Sequence, residues 1–223
     1  MTARRGLELA ERLARLPPAE RDRAAEVWLG IAEPPPTEAP GAELVPYQPS
    51  GVSPIVRALR EAVVTSDDVL VDLGSGLGKV VFLAALFTGA KARGIEREPA
   101  LVRGAERAAR ELGLDVGFSC EDVRDASLDD GTVFFLYTPC TGSALRRLLD
   151  RLHGVARRRA IVVCALGSDL PRDATWLVPR PTDAFWLTLY DGVLPGAAPR
   201  VTGPSRLCGA VFDALAGEHA LAG

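Results

Sequence analysis

Two periods of apolar residues alternate along this chain. From residue 68 to residue 166, short apolar runs alternate with longer stretches of helical length and apolar content. The runs predict strands at 68–73, 91–96, 116–120, 132–138 and 159–166, and the stretches between them predict helices near 78–88, 99–113 and 143–156. Such alternation is the pattern of a doubly wound α/β sheet, because parallel neighbours need a long crossover and a helix supplies it. AFWLTLYDG (184–192) alternates as a further strand, and LCGAVFDAL (207–215) reads as the last one. The tail from Gly217 is expected to fray.

Ahead of the sheet, Leu7, Leu9, Ala10, Leu13 and Leu16 are spaced for one helix over 4–16, which Pro17-Pro18 ends. A second helix starts there, with Ala24, Val27, Trp28 and Ile31 as its apolar face. EPPPTEAPGAE (33–43) is a proline-rich linker. A helix from Ser53 to Val64 then carries Ile55, Val56, Leu59 and Val63 on one side. The expected organisation is a helical extension and linker over 1–46, followed by one α/β domain over 47–223. The extension is either a hairpin packed on the domain or a cap that selects substrate.

Composition narrows the field. At 223 residues and 48% hydrophobic, the chain can bury one good core. A formal charge of −3 gives no electrostatic case for a nucleic-acid backbone as partner. Cys120, Cys140, Cys164 and Cys208 are far apart and only His153 and His219 accompany them, so a zinc site is not expected. The first residues lack the apolar core of a signal peptide, and the longest apolar run, VVFLAALFTGA, is too short to span a bilayer. A cytoplasmic protein with no membrane partner is the expectation.

The chemistry concentrates in DVLVDLGSGLGK (68–79), a strand, a glycine turn and a helix opening. Glycines let backbone approach a ligand, and N–H groups at a helix start favour an anion. Gly74, Gly76 and Gly78 form GxGxG; the dinucleotide pattern GxGxxG would need its third glycine at Lys79. Asp72 sits inside the strand just before the turn, awkward beside a pyrophosphate but useful beside an ammonium group. Ligands in such sheets bind beyond the carboxyl ends of the strands. The second strand ends in Glu96, followed by Arg97, and the third ends near Glu121-Asp122-Val123. Glu96 is placed to take two ribose hydroxyls or to form a surface ion pair. Asp122 could equally be a helix N-cap. The fourth strand ends in Tyr137-Thr138-Pro139-Cys140, and Cys140 has no activating neighbour in sequence.

The Asp72, Gly74, Gly76, Gly78 pattern resembles the first motif, (D/E)xGxGxG, of the class I seven-β-strand S-adenosylmethionine (AdoMet) methyltransferases. The resemblance implies a Rossmann-like seven-stranded sheet, mostly parallel, with its last strand antiparallel. It implies AdoMet as cofactor and S-adenosylhomocysteine as product. The glycine turn, with Ser75 inside it, would hold the methionine part, Asp72 the amino group, and Glu96 with Arg97 the ribose. Asp122, with Glu121 as fallback, and the N–H of Val123 would meet the adenine. Tyr137 would pack on the cofactor or order the acceptor, unless it is a core tyrosine. Amino-methylating enzymes of nucleic acids carry (D/N/S)PP(Y/F/W) at the fourth strand end; this chain has TPC, which argues against a base as acceptor.

A narrower likeness covers residues 47–100. Tyr47-Gln48-Pro49-Ser50 ahead of DLGSGLGKVV and GIE resembles the archaeal-type and mitochondrial seven-strand protein-lysine methyltransferases, and the DLGSGxGxVV core is shared with histone-lysine methyltransferases that lack a SET domain. By that likeness Tyr47 and Ser50 cover the methionine end of the cofactor. The expected activity is in-line methyl transfer to oxygen or nitrogen on a small molecule or a protein side chain, lysine included. Tyr47 and Tyr137 are the first candidates for catalysis, with Asp169, Asp183 and Asp191 as other polar groups. The competing readings are a cofactor-binding scaffold without turnover and an NAD(P)-dependent oxidoreductase.

Overall fold

The computed structural model describes residues 2–35, 43–167, 169–180, 182, 184–192, 207 and 209–217. Asp183, Cys208 and His219 lie outside the described residues. Among the described residues, seven strands form one sheet: β1 (Val69–Leu73), β2 (Lys91–Glu96), β3 (Gly117–Cys120), β4 (Val133–Leu136), β5 (Ile161–Leu166), β6 (Leu177–Arg180) and β7 (Leu187–Gly192). Their order is β3-β2-β1-β4-β5-β7-β6, and only β7 runs against the others. The chain switches direction between β1 and β4, so β1 lies at the centre with its carboxyl end facing the crevice that the reversal opens.

Alternation along the central strands explains why they read as unbroken apolar runs. Leu70, Val133, Phe135, Val162 and Cys164 enter the apolar layer on one face, while Val71, Leu73, Phe134, Leu136 and Val163 enter that on the other. Both faces are covered, so neither needs polar residues. Helices α4 (Lys79–Thr88), α5 (Pro99–Leu112) and α6 (Gly142–Ala156) are the crossovers. Left-handed Gly89 and Gly113 end α4 and α5, as helix termini favour.

The N-terminal pair, α1 (Thr2–Ala14) and α2 (Pro18–Trp28), shares the core instead of sitting on it. Leu9, Ala10, Leu13, Ala25 and Leu29 belong to the same apolar layer as Val81 and Phe82 of α4. A Cβ on Gly6 would lie 2.0 Å from the Leu86 carbonyl oxygen, so α1 and α4 touch backbone to backbone. The expected face of α2 needs correction. Val27 is 62% exposed, and Arg21 is buried in its place beside Ala25. The Arg21 guanidinium donates to the carbonyls of Leu16 and Ala214. A long aliphatic stem with a satisfied head can serve as core.

Helix α3 (Val52–Glu61) ends earlier than its apolar spacing suggests, and Val63 leaves it with φ +52°. The fourth strand stops at Leu136, and Thr138 beyond it is also left-handed, φ +41°. The largest correction concerns 207–215. These residues do not make the last strand: Ala210–Ala216 is a helix, α7. Phe212 meets Phe87 edge to face at 5.5 Å, Leu215 is fully buried, and Arg60 pairs with Asp213. A short apolar run fits either period, and packing against α1 and α3 decides it. The remaining strand is LVPR, β6, at the sheet edge, where Pro179 lacks an N–H without breaking an interior ladder.

Candidate active site

The carboxyl ends of β1, β2 and β4, together with the loop after β3, surround one cavity of about 1020 Å³, its open mouth included. Segment 43–50 closes one side. Its first residue, Glu43, accepts the N–H groups of Ser143 and Ala144 and the Ser143 hydroxyl, which caps α6 and lowers the Glu43 pKa. Leu44 bridges to Cys140, and Val45 N–H donates to the Pro139 carbonyl. At the far end Val52 N–H donates to Asp22 Oδ1 of α2 at 2.6 Å. Between these anchors Tyr47, Gln48, Pro49 and Ser50 face the cavity.

Of the residues singled out in the sequence, Tyr47, Ser50, Asp72, Gly74, Ser75 and Tyr137 line this cavity on the turn side. Glu96, Arg97, Asp122 and Val123, with Glu121, line the other end. Gly76 and Gly78 do not, and their need for glycine has another origin. A Cβ on Gly76 would lie 2.1 Å from Tyr47 Cε2, and one on Gly78 would lie 2.6 Å from the Phe118 ring. At these two positions the turn is packed under aromatic rings, while Gly74 and Ser75 face the cavity.

The turn's own N–H groups are correspondingly occupied. Gly74 and Ser75 donate to the Ile95 carbonyl at 2.9 and 3.0 Å, and Gly78 donates to the Ser75 carbonyl. Gly76 donates to Glu96 Oε2 at 3.0 Å, while Glu98 N–H donates to Glu96 Oε1 at 2.9 Å. Glu96 thus fastens the turn to β2. Gly94 on the same strand allows this, since a Cβ there would strike Ser75 Oγ at 2.3 Å. Nothing in the sequence marked Gly94 beyond its place before Ile95-Glu96. Ionised carboxylates offer about four lone-pair directions, so Glu96 keeps acceptor capacity toward the cavity.

Burial sets the titration of the site. Asp72 is 3% exposed, and desolvation, reinforced by the charge of Glu96, holds its pKa well above the usual carboxylate range. Tyr47 is pushed up to about 12 by burial and by Glu26, with Leu77 N–H opposing the shift. A phenol held neutral that firmly is a wall, not a base. Asp122 goes the other way: hydrogen bonds from the Arg124 side chain hold it below its normal value, and the Arg124 N–H adds an Asx turn. No helix follows β3 before β4, so the helix N-cap alternative for Asp122 does not hold; its carboxylate closes an Asx turn and lines the cavity. Burial raises the Cys140 thiol to about 11, which leaves it inert at neutral pH.

The other polar candidates separate. Asp169 follows β5 at the cavity end of the sheet and accepts the Thr188 hydroxyl. Asp191 pairs with Val162, near the start of β5, and is bound to Arg180 at 2.6 Å, away from the site. The Tyr137 ring packs over Gly167, whose own Cβ would lie 2.8 Å from it. Thr138 donates to the Leu166 carbonyl, which helps hold its strained backbone at the mouth. Two charged residues escaped the sequence reading. Lys79, 6% exposed, lines the cavity, and Glu26 of α2 meets its Nζ at 2.6 Å. A lysine after a glycine turn carries no distinguishing pattern, and its partner lies far away in sequence.

The strand order, the antiparallel seventh strand and the carboxylates at successive strand ends define the class I, Rossmann-like methyltransferase fold. Comparison with known proteins agrees. Residues 49–118 match the family model for histone methylation protein DOT1. An RNA methyltransferase from Salinibacter ruber, solved with S-adenosyl-L-homocysteine, is 32% identical, with 69% of this chain and 98% of that chain aligned and a TM-score of 0.58. The putative methyltransferase yhhF from Escherichia coli shares the fold at 16% identity, 63% and 86% coverage and a TM-score of 0.50. No curated protein sequence matches the chain. The chain belongs to the class I S-adenosylmethionine-dependent methyltransferases. Among the described residues, no helix is long and apolar enough to cross a membrane.

Proposed function

We propose that this cavity holds AdoMet extended between the glycine turn and the loop after β3, and that the enzyme methylates a protein lysine brought to the Tyr137–Pro139 mouth. The observation that carries the cofactor placement is the pair of buried carboxylates, Asp72 and Glu96, at adjacent strand ends on one cavity wall. Asp72 answers an ammonium and Glu96 a ribose diol, while Asp122 and Val123 bound the adenine end. Tyr47 and Ser50 close the methionine end and exclude water. Bound AdoMet supplies the electrophilic methyl, and the residues around it supply alignment and a dry cavity, which is where most of the barrier reduction for such a transfer arises. With Tyr47 held neutral, Tyr137 is the tyrosine left to order the acceptor. The match of residues 49–118 to the DOT1 family supports a lysine acceptor. RNA is the second reading, favoured by the Salinibacter relative and opposed by the net charge of −3.

Methyl-tritiated AdoMet, incubated with the purified protein and separate protein, RNA and small-molecule fractions, tests the acceptor. Label is expected in the protein fraction and is expected to disappear when its lysines are acetylated beforehand. Label confined to RNA replaces the first reading by the second.

Asp72 gives a sharper test of the cofactor placement. Its folded pKa exceeds the unfolded value of about 3.9, so the folded state holds the proton more tightly and stability falls as pH rises through that interval. Asp72→Asn removes the buried charge and is expected to raise the thermal midpoint of the free protein at neutral pH. The same change removes an ionic partner of the cofactor ammonium, worth about 1.5–3 kcal/mol or roughly 10- to 150-fold in affinity for S-adenosylhomocysteine. Thermal unfolding and calorimetric titration of one preparation read both effects; unchanged affinity would remove Asp72 from the site.

A further inference from the structure

The amino-acid end of AdoMet is a zwitterion, and Asp72 answers only its ammonium. The N–H groups of Gly74, Ser75, Gly76 and Gly78 are spent on Ile95, Glu96 and Ser75, and Leu77 N–H faces the Tyr47 hydroxyl. What remains on that wall is the uncapped first turn of α4, and the side chain standing on it is Lys79. Lys79 is buried, lines the same cavity as Asp72 and Tyr47, and is held by Glu26 at 2.6 Å. The other cation on the cavity wall among the described residues, Arg97, stands beyond the ribose acid with Glu98 at 3.4 Å.

Glu26 comes from the N-terminal hairpin. Four residues before it, Asp22 receives the Val52 N–H just past Ser50. That spacing puts both carboxylates on one face of α2, so this face fastens two walls of the cavity at once. Glu26 also helps to keep the Tyr47 phenol protonated.

We infer that the hairpin completes the cofactor site: Glu26 is a positioning residue that holds the Lys79 ammonium at the amino-acid end of the cavity, where Lys79 binds the cofactor carboxylate. This rests on the AdoMet reading of the cavity. An ammonium has three donors, so Nζ serves Glu26 and the cofactor together. Because Glu26 pins a side chain with four rotatable bonds, its freedom is lost on folding and not on binding.

The test is calorimetric titration with two probes, S-adenosylhomocysteine and 5′-methylthioadenosine, which keeps adenine, ribose and sulfur but lacks the amino-acid chain. Lys79→Met and Glu26→Ala are each expected to weaken S-adenosylhomocysteine by about tenfold or more while 5′-methylthioadenosine stays within about twofold of the wild type. Added to Lys79→Met, Glu26→Ala is expected to cost less than about twofold further, since its main effect on the cofactor runs through Lys79. Equal losses for both probes would make the pair a packing feature and overturn the inference. So would unchanged affinity, or tighter S-adenosylhomocysteine binding without Glu26, which would make Glu26 a competitor. A wild type that binds neither probe would sink the AdoMet reading itself, a result distinguishable from variants that behave like a binding wild type.

Discussion

Glu96→Ala is expected to bring S-adenosylhomocysteine affinity down by about a thousandfold or more, roughly 4 kcal/mol, the largest loss of any single change at the site. The magnitude follows from a double role. Toward the ligand, the carboxylate is placed to accept two ribose hydroxyls with charge assistance. Toward the protein, it accepts Gly76 N–H at 3.0 Å and Glu98 N–H at 2.9 Å, and so ties the glycine turn to the end of β2. Alanine removes both sets of contacts and leaves two N–H groups without their acceptor. Glu96→Gln keeps one amide oxygen and is expected to fall between alanine and the wild type. Titration of the three proteins with S-adenosylhomocysteine measures the order, and near-normal affinity in the alanine variant would refute the site assignment.

Gly76→Ala comes second, and its cause is steric. The added methyl would meet Tyr47 Cε2 at 2.1 Å and Cδ2 at 2.6 Å, at a backbone φ of +51° where alanine costs about 1–2 kcal/mol by itself. The Tyr47 ring has little room to retreat, because its segment is anchored by Glu43 on α6 at one end and by Asp22 at the other. The cavity wall must therefore open, with a lower thermal midpoint and weaker cofactor binding together. Gly76→Ala combined with Tyr47→Ala is expected to recover part of the lost stability, since the clash needs both side chains. If Gly76→Ala unfolded and bound like the wild type, the packing of Tyr47 on the turn would be wrong.

The two variants illustrate different levels of legibility. Glu96 stood out in the sequence because an acid at a strand end, after a glycine turn and an acid at Asp72, has a chemical meaning wherever the strands align. The glycines stood out as well, for a reason that fits one of the three. Gly74 lines the cavity, where backbone can approach a ligand, whereas Gly76 and Gly78 admit Tyr47 and Phe118. Asp122 keeps only its cavity position: the helix it was read to cap does not form, and its carboxylate closes a turn with Arg124 instead. The strand at 184–192 was readable from alternation, whereas 207–215 was not, because a short apolar run satisfies two periods and only the neighbouring helices choose between them.

Local chemistry thus determined most of the scaffold: β-branched runs, a glycine turn and proline breaks specify strands, the turn and helix starts through contacts a few residues apart. It also marked the carboxylates, since their positions at strand ends follow from the strands. The pairing of Glu26 with Lys79, the anchoring of residues 43–50 by Glu43 and Asp22, and the occupation of the turn's N–H groups by Ile95 and Glu96 were decided by the tertiary structure alone. Each joins residues about 20 to 100 positions apart whose types are ordinary in sequence, and a charge becomes informative only when burial removes the water that would otherwise satisfy it.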